Sequence, residues 1–274
     1  MELKFNGMGF SYASVPVLEN VCLDISQPQF VSIIGPNGVG KSTLIHCINK
    51  ILSPTHGTVL LDGKNVKEYQ QKEIAQHVGY VPYTSSDTFP LSVVDTVLLG
   101  RQPHAGWGTT DEDLEIVYTT LKQLDIEDLA LRHFNELSAG QHQKVMLARG
   151  LVQRPEVLLL DEPTSNLDIK HQLAISRLLR KLSRENSIMV VMISHDLNIA
   201  AKYSDNIIMM HKGGIYAVGT PSEVMTRENI MHVYGVDCTI VDDDGRPHMI
   251  AHDEADEDLP APDGAVCEMV QTTE

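Results

Sequence analysis

The chain has 274 residues, 42% hydrophobic and 21% charged, which is ample for a sizeable core in one or two domains. Its 37 acidic and 21 basic side chains give a formal net charge of −16, which argues against a nucleic-acid binder, because phosphate backbones are held by clustered Lys and Arg. The longest apolar runs, such as Val157 to Leu160 and Met189 to Ile193, fall far short of the roughly 18 to 20 residues that span a bilayer. The opening Met1-Glu2-Leu3-Lys4-Phe5 lacks a basic segment and a long apolar core, so a cytoplasmic chain is expected. Cys22, Cys47, Cys238 and Cys267 are scattered without a C-x-x-C pair, which suits reduced thiols rather than a disulfide frame or zinc site.

In chain order, Phe30, Val31, Ile33 and Ile34 spell a short buried strand, and Leu44, Ile45 and Ile48 spell one face of a helix. Between them stands Gly35-Pro36-Asn37-Gly38-Val39-Gly40-Lys41-Ser42-Thr43, which fills every fixed position of G-x-x-x-x-G-K-[ST]. A helix start in this context points its first amides at phosphates, Lys41 reaches the outer phosphates and the Ser42 hydroxyl suits magnesium. An ordinary glycine-rich turn is the alternative. Val78-Gly79-Tyr80-Val81-Pro82 reads as a second strand, followed by Tyr83. Leu114, Val117, Leu121 and Leu124 recur at helical spacing. Leu137-Ser138-Ala139-Gly140-Gln141, taken alone, is a Ser-capped helix start.

Val157 to Leu160 then leads into Asp161-Glu162-Pro163, as a buried parallel strand would deliver two carboxylates to a ligand-binding sheet edge. Asp161 can hold the magnesium hydration shell, and Glu162 can accept a proton from an attacking water. A helix N-terminus explains these acids too, though not the strand before them. Met189 to Ser194 is a further strand ending at His195. Asn206 to Met210, Lys212-Gly213-Gly214 and Ile215 to Val218 read as a hairpin, and Gly219 to Val224 as a turn into a capped helix. The last stretch holds Asp253, Glu254, Asp256, Glu257, Asp258, Asp263, Glu268 and Glu274 without Lys or Arg, which predicts a disordered tail. His248 and His252 just before it are the sharper alternative, a metal-binding end.

Across residues 2 to about 240, the order and spacing of the phosphate loop, Leu137 to Gln141 and Asp161-Glu162 resemble the nucleotide-binding subunit of an ATP-binding cassette transporter. The resemblance implies an α/β fold: a P-loop NTPase (RecA-like) core with an N-terminal antiparallel β-subdomain and an inserted α-helical subdomain. Divided accordingly, residues 1–83 and 151–235 form the ATP-binding core, 84–150 the helical subdomain, 236–252 an extension and 253–274 the acidic tail. It implies ATP and Mg2+ as cofactors. Ser138, Gly140 and Gln141 then belong to the signature that addresses the γ-phosphate of an ATP on the opposite subunit, with Ala139 where glycine is usual.

By the same resemblance Tyr12 stacks on adenine, unless it is a strand residue packing the core. Asp168, in Ser165-Asn166-Leu167-Asp168, belongs to a segment crossing the dimer interface. His195 matches a switch histidine that touches the γ-phosphate and orients water with Glu162; a lone histidine is otherwise usually structural. Tyr83 replaces a glutamine whose oxygen contacts magnesium, so Ser42, Asp161 and water are left for the metal. Phe89 to Arg101 with Pro103-His104 is similar to importers of ferric siderophores, haem and cobalamin. The implied partners are a second copy in an ATP-sandwich homodimer, separate transmembrane permease subunits and, indirectly, a cargo-binding protein. The chain would then sit on the inner face of the cell membrane. The alternatives are a soluble cassette ATPase of metal-cluster assembly and an exporter ATPase.

Overall fold

A computed structural model describes residues 1–83, 91–104 and 108–252. Phe89, Pro90, Cys267 and the acidic end from residue 253 therefore lie outside the described residues. The strands are β1 (Leu3–Tyr12), β2 (Val15–Ile25), β3 (Phe30–Ile34), β4 (His56–Leu61), β5 (Lys64–Asn65) and β6 (Val78–Val81). They continue with β7 (Val157–Asp161), β8 (Met189–Ile193), β9 (Asn206–His211), β10 (Gly214–Gly219), β11 (Cys238–Asp243) and β12 (Arg246–Ala251). The helices are α1 (Lys41–Ile48), α2 (Gln71–His77), α3 (Val93–Leu98), α4 (Asp111–Gln123) and α5 (Ala139–Leu151). After them come α6 (Ile169–Asn186), α7 (Leu197–Tyr203), α8 (Pro221–Val224) and α9 (Arg227–Tyr234).

A six-stranded sheet in the order β10-β9-β3-β8-β7-β6 carries the site. All its pairings are parallel except β9 with β10. Continuous apolar strands are what a parallel sheet covered on both faces demands. The alternation shows which face is which: Leu158, Leu160, Val190 and Met192 pack toward a core shared with α3 to α6. Val157, Leu159, Val191 and Ile193 pack the other way, against α1 and the N-terminal strands. Each fully buried Leu or Val stabilises by about 1.5–3 kcal/mol relative to exposure, so these five-residue strands hold the frame rigid under the loops at their ends. The N-terminal strands form a separate antiparallel sheet, β2-β1-β4-β5.

The expected helices between the two parts of the sheet are present as α3, α4 and α5, and of the four apolar positions at helical spacing Val117, Leu121 and Leu124 are buried while Leu114 is not. Leu114 is 46% exposed, while Asp113, Ile116, Val117, Thr120 and Leu121 turn inward. The reason is local. Arg101 Nε donates to Asp113 Oδ1 at 2.8 Å, its Nη1 to the Val152 carbonyl at 2.7 Å, and Asp113 also caps α4 through Thr110. This buried pair fixes the rotation of α4, and Arg101 holds the Asp113 carboxyl down at about 2.

The hairpin β9-β10 and the capped start of α8 form as expected, with Thr220 and Glu223 making a reciprocal cap and Pro221 at the first helical position. The extension is a second hairpin, β11-β12, laid on α7. Asn198 on α7 acts as a surrogate strand: its Oδ1 accepts the Met249 N–H at 2.7 Å and its Nδ2 donates to the Met249 carbonyl at 3.1 Å. Among the described residues no helix is long and apolar enough to cross a membrane.

Candidate functional site at the carboxyl ends of the central strands

Strand β3 is buried throughout and releases the chain into Gly35 to Gly40. Two glycines are fixed here by close packing. A Cβ on Gly35 would lie 2.5 Å from the Met210 carbonyl oxygen, and one on Gly40 would lie 2.6 Å from Leu18 Cδ2; both have positive φ, 150° and 98°. Pro36, Asn37, Gly38 and Val39 form the outward part of the loop, with Asn37 and Gly38 exposed. Helix α1 then starts without a side-chain cap and without an acidic residue in its first turn. Its first amides are left to meet an anion, which is the chemistry a phosphate group needs. Lys41 Nζ donates to the Gly35 carbonyl at 2.7 Å and the Pro36 carbonyl at 2.9 Å, so its ammonium lies inside the loop. Burial lowers its pKa from the usual lysine value, against the opposing pull of Glu162 and Asp161. Thr43, next to Ser42, is buried.

Because β3 and β7 both pair with β8, the end of β7 lies one strand beyond the neighbour of the loop. Ser42 Oγ donates to Asp161 Oδ1 at 3.2 Å across this edge. Burial raises the Asp161 pKa, with the Ser42 hydrogen bond pulling the other way. A hydroxyl and a buried carboxylate converging beside the loop are a donor set suited to a hard divalent cation, so Ser42 and Asp161 fit magnesium. Among the described residues no group of three or more His, Cys, Asp or Glu is placed to hold a metal ion.

Glu162 has a left-handed backbone, φ 50°. That conformation costs a non-glycine residue roughly 1–2 kcal/mol, and such strain gathers where a side chain must be aimed. The turn is held by Ser165, whose Oγ donates to the Glu162 carbonyl at 3.0 Å. The Glu162 carboxylate turns toward His195, whose Nε2 donates to its Oε1. His195 itself is delivered by the fully buried β8, next to β7. Ser194 Oγ donates to the Asp196 carbonyl at 2.9 Å, and Asp196 caps α7, so both flanks of His195 are pinned while its ring stays partly exposed. Lys41, Ser42, Asp161, Glu162 and His195 thus meet at one edge.

The other anticipated residues lie outside this cluster of five. Ser138 caps α5 in a reciprocal box: its Oγ accepts the Gln141 N–H at 3.4 Å and Gln141 Oε1 accepts the Ser138 N–H at 3.0 Å. Gly140 is buried and Ala139 exposed. Asp168 caps α6 by accepting the His171 N–H at 2.9 Å. Tyr12 is 50% exposed and meets Phe10 edge-to-face, so its ring does not pack the core. Tyr83, 48% exposed, lines a cavity of about 250 Å³ with Leu137, Ala139, Gln143, Glu162 and Ser165. His248 and His252 belong to the second hairpin, His252 bonding Thr239 Oγ1 at 2.7 Å.

One contact had no signal in the sequence. Tyr234, at the end of α9, packs against the buried cluster that holds Ile34, the residue before Gly35, and burial raises its pKa. Tyr234 and Gly35 are 199 positions apart and no motif joins them; only the packing of α9 near the carboxyl end of β3 brings them close.

The ABC transporter family profile matches residues 18–165. An uncharacterized ABC transporter ATP-binding protein of Methanocaldococcus jannaschii is 47% identical, over 91% of this chain and 98% of its own. The ferric enterobactin transport ATP-binding protein of Escherichia coli K12 is 37% identical, over 88% of this chain and 90% of its own. Among solved structures, a dimeric ATP-binding cassette in a post-hydrolysis state with ADP and Pi superposes with a TM-score of 0.69 at 30% identity, covering 80% of this chain and 98% of that one.

Proposed function

Because the chain belongs to the ABC transporter family, as one of its ATP-hydrolysing cassettes, we propose that it powers import of an iron-siderophore, haem or cobalamin through separate permease subunits. The observation that carries the catalytic part is the left-handed turn at Glu162, which puts a carboxylate against His195 beside the phosphate loop. Glu162 takes the proton of the attacking water, and His195 holds that carboxylate and contacts the γ-phosphate. Gly35 to Thr43 bind the phosphates, Lys41 neutralises their charge and Tyr12 stacks on adenine. Ser42 and Asp161 hold magnesium, which supplies charge neutralisation at the phosphates when bound.

Ser138, Gly140, Gln141 and Asp168 complete the site of a second copy. Two chains related by a twofold axis would enclose two ATP molecules, which fits the dimeric form of a similar cassette. Hydrolysis loosens that pairing, and the opening and closing move the permease. Residues 84–150 carry the surface for the permease, which holds the chain on the inner face of the membrane. The import roles named for relatives of 39% and 37% identity support import over export. Reconstitution with permease and cargo-binding partners, with ferric siderophore, haem and cobalamin competing for uptake, tests the reading. ATP-dependent uptake of one of them, abolished by Glu162→Gln, is expected; uptake of none would overturn the cargo class.

A further inference from the structure

Ala139 and Gly140 are neighbours in the first turn of α5, yet only the second is buried. A methyl group is therefore harmless at Ala139. At Gly140 a Cβ would lie 2.4 Å from Cδ2, 2.9 Å from Nε2 and 3.0 Å from Cγ of His171, well inside the contact distance of two heavy atoms. The imidazole is tethered at one nitrogen, with its side chain 45% exposed. Its Nδ1 donates to Asp168 Oδ1 at 2.7 Å, and the His171 backbone N–H donates to the same oxygen at 2.9 Å. These bonds, the backbone one first, also hold the Asp168 carboxyl below the usual carboxylate range. The start of α6 is tied in turn to the chain after Glu162, since Gln172 Nε2 donates to the Thr164 carbonyl at 3.1 Å.

We propose that His171 is a positioning residue, a spacer wedged between Ser165–Asp168 and the first turn of α5, and that this contact within one chain is what requires glycine at position 140. The inference rests on the composite-site reading above, in which both segments face the nucleotide of a second copy. Consecutive helix positions point about 100° apart, so a methyl group at 139 and one at 140 meet different surroundings. The packing makes them unequal, in the direction the sequence has them.

The test uses the full chain carrying Glu162→Gln with ATP, with pairing followed by analytical ultracentrifugation and single-chain binding followed with a fluorescent ADP analogue. Gly140→Ala is expected to weaken pairing by ~30-fold and His171→Ala by ~5-fold, the range of coupling seen between touching residues. Combining the two should return pairing to within about threefold of His171→Ala alone, because the clash is gone. ADP-analogue affinity should stay within about twofold throughout, since it reads the loop of one chain. Should Gly140→Ala fail to fold, recovery of folding by added His171→Ala supports the same contact. A double variant no better than Gly140→Ala, or His171→Ala pairing as well as its parent, would overturn the proposal alone. Failure of the Glu162→Gln parent to pair would overturn the composite site and this inference with it.

Discussion

The two helix starts that bear the glycine motifs are built in opposite ways. Helix α1 begins at a left-handed Gly40 with no side-chain cap, and the ammonium of Lys41 sits among loop carbonyls behind it. Helix α5 begins with a complete reciprocal cap between Ser138 and Gln141. An uncapped start next to Lys41, Ser42 and Asp161 is unfinished until an anion arrives, whereas the capped start is stable by itself. On the proposed function the first region is a binding site of the single chain, and the second is a preformed surface whose ligand comes with a second molecule.

The sharpest way to break this comparison is to damage each start separately. Lys41→Ala should lower single-chain ATP affinity by ~100-fold, because it removes the buried positive charge held inside the loop. Ser138→Ala should leave that affinity within about twofold, lower ATP-driven pairing by ~10-fold and cost about 1 kcal/mol of stability through the lost cap. Calorimetric titration and sedimentation separate the two. Equal losses of single-chain affinity would contradict the division. A smaller effect is expected at Tyr83, which borders both Glu162 and the α5 start. Wild type should hydrolyse ATP, and Tyr83→Gln should alter permease-stimulated ATPase by ~3-fold while changing the basal rate less. No basal activity in wild type would sink that expectation.

Most of the frame and of the loop was legible in the sequence because both rest on local chemistry. Five-residue apolar runs ending in Gly35, Asp161 or just before Ser194-His195 can serve little else than a covered parallel sheet, whose carboxyl ends gather ligands. The helical region was less legible. Val117, Leu121 and Leu124 follow the helical period into the core, but Leu114 stays out and Asp113 turns in to meet Arg101, and a charged pair inside a core leaves no periodic signal. The packing of Tyr234 near Gly35 and the contact of His171 with Gly140 were invisible for another reason: each joins distant segments through tertiary packing alone. The left-handed turn at Glu162 also went unread, since a Glu-Pro pair does not announce positive φ.

The central claim, that each chain supplies half of a site, is tested most directly by mixing two crippled chains, both carrying Glu162→Gln. One has Lys41→Ala and the other Ser138→Arg. Neither should pair with ATP alone. Mixed, they can assemble one site from the intact loop of the Ser138→Arg chain and the intact α5 start of the Lys41→Ala chain, so a heterodimer holding one ATP should sediment. A mixture that stays monomeric while unmodified Glu162→Gln pairs, or a Ser138→Arg chain that pairs unaided, would contradict the account.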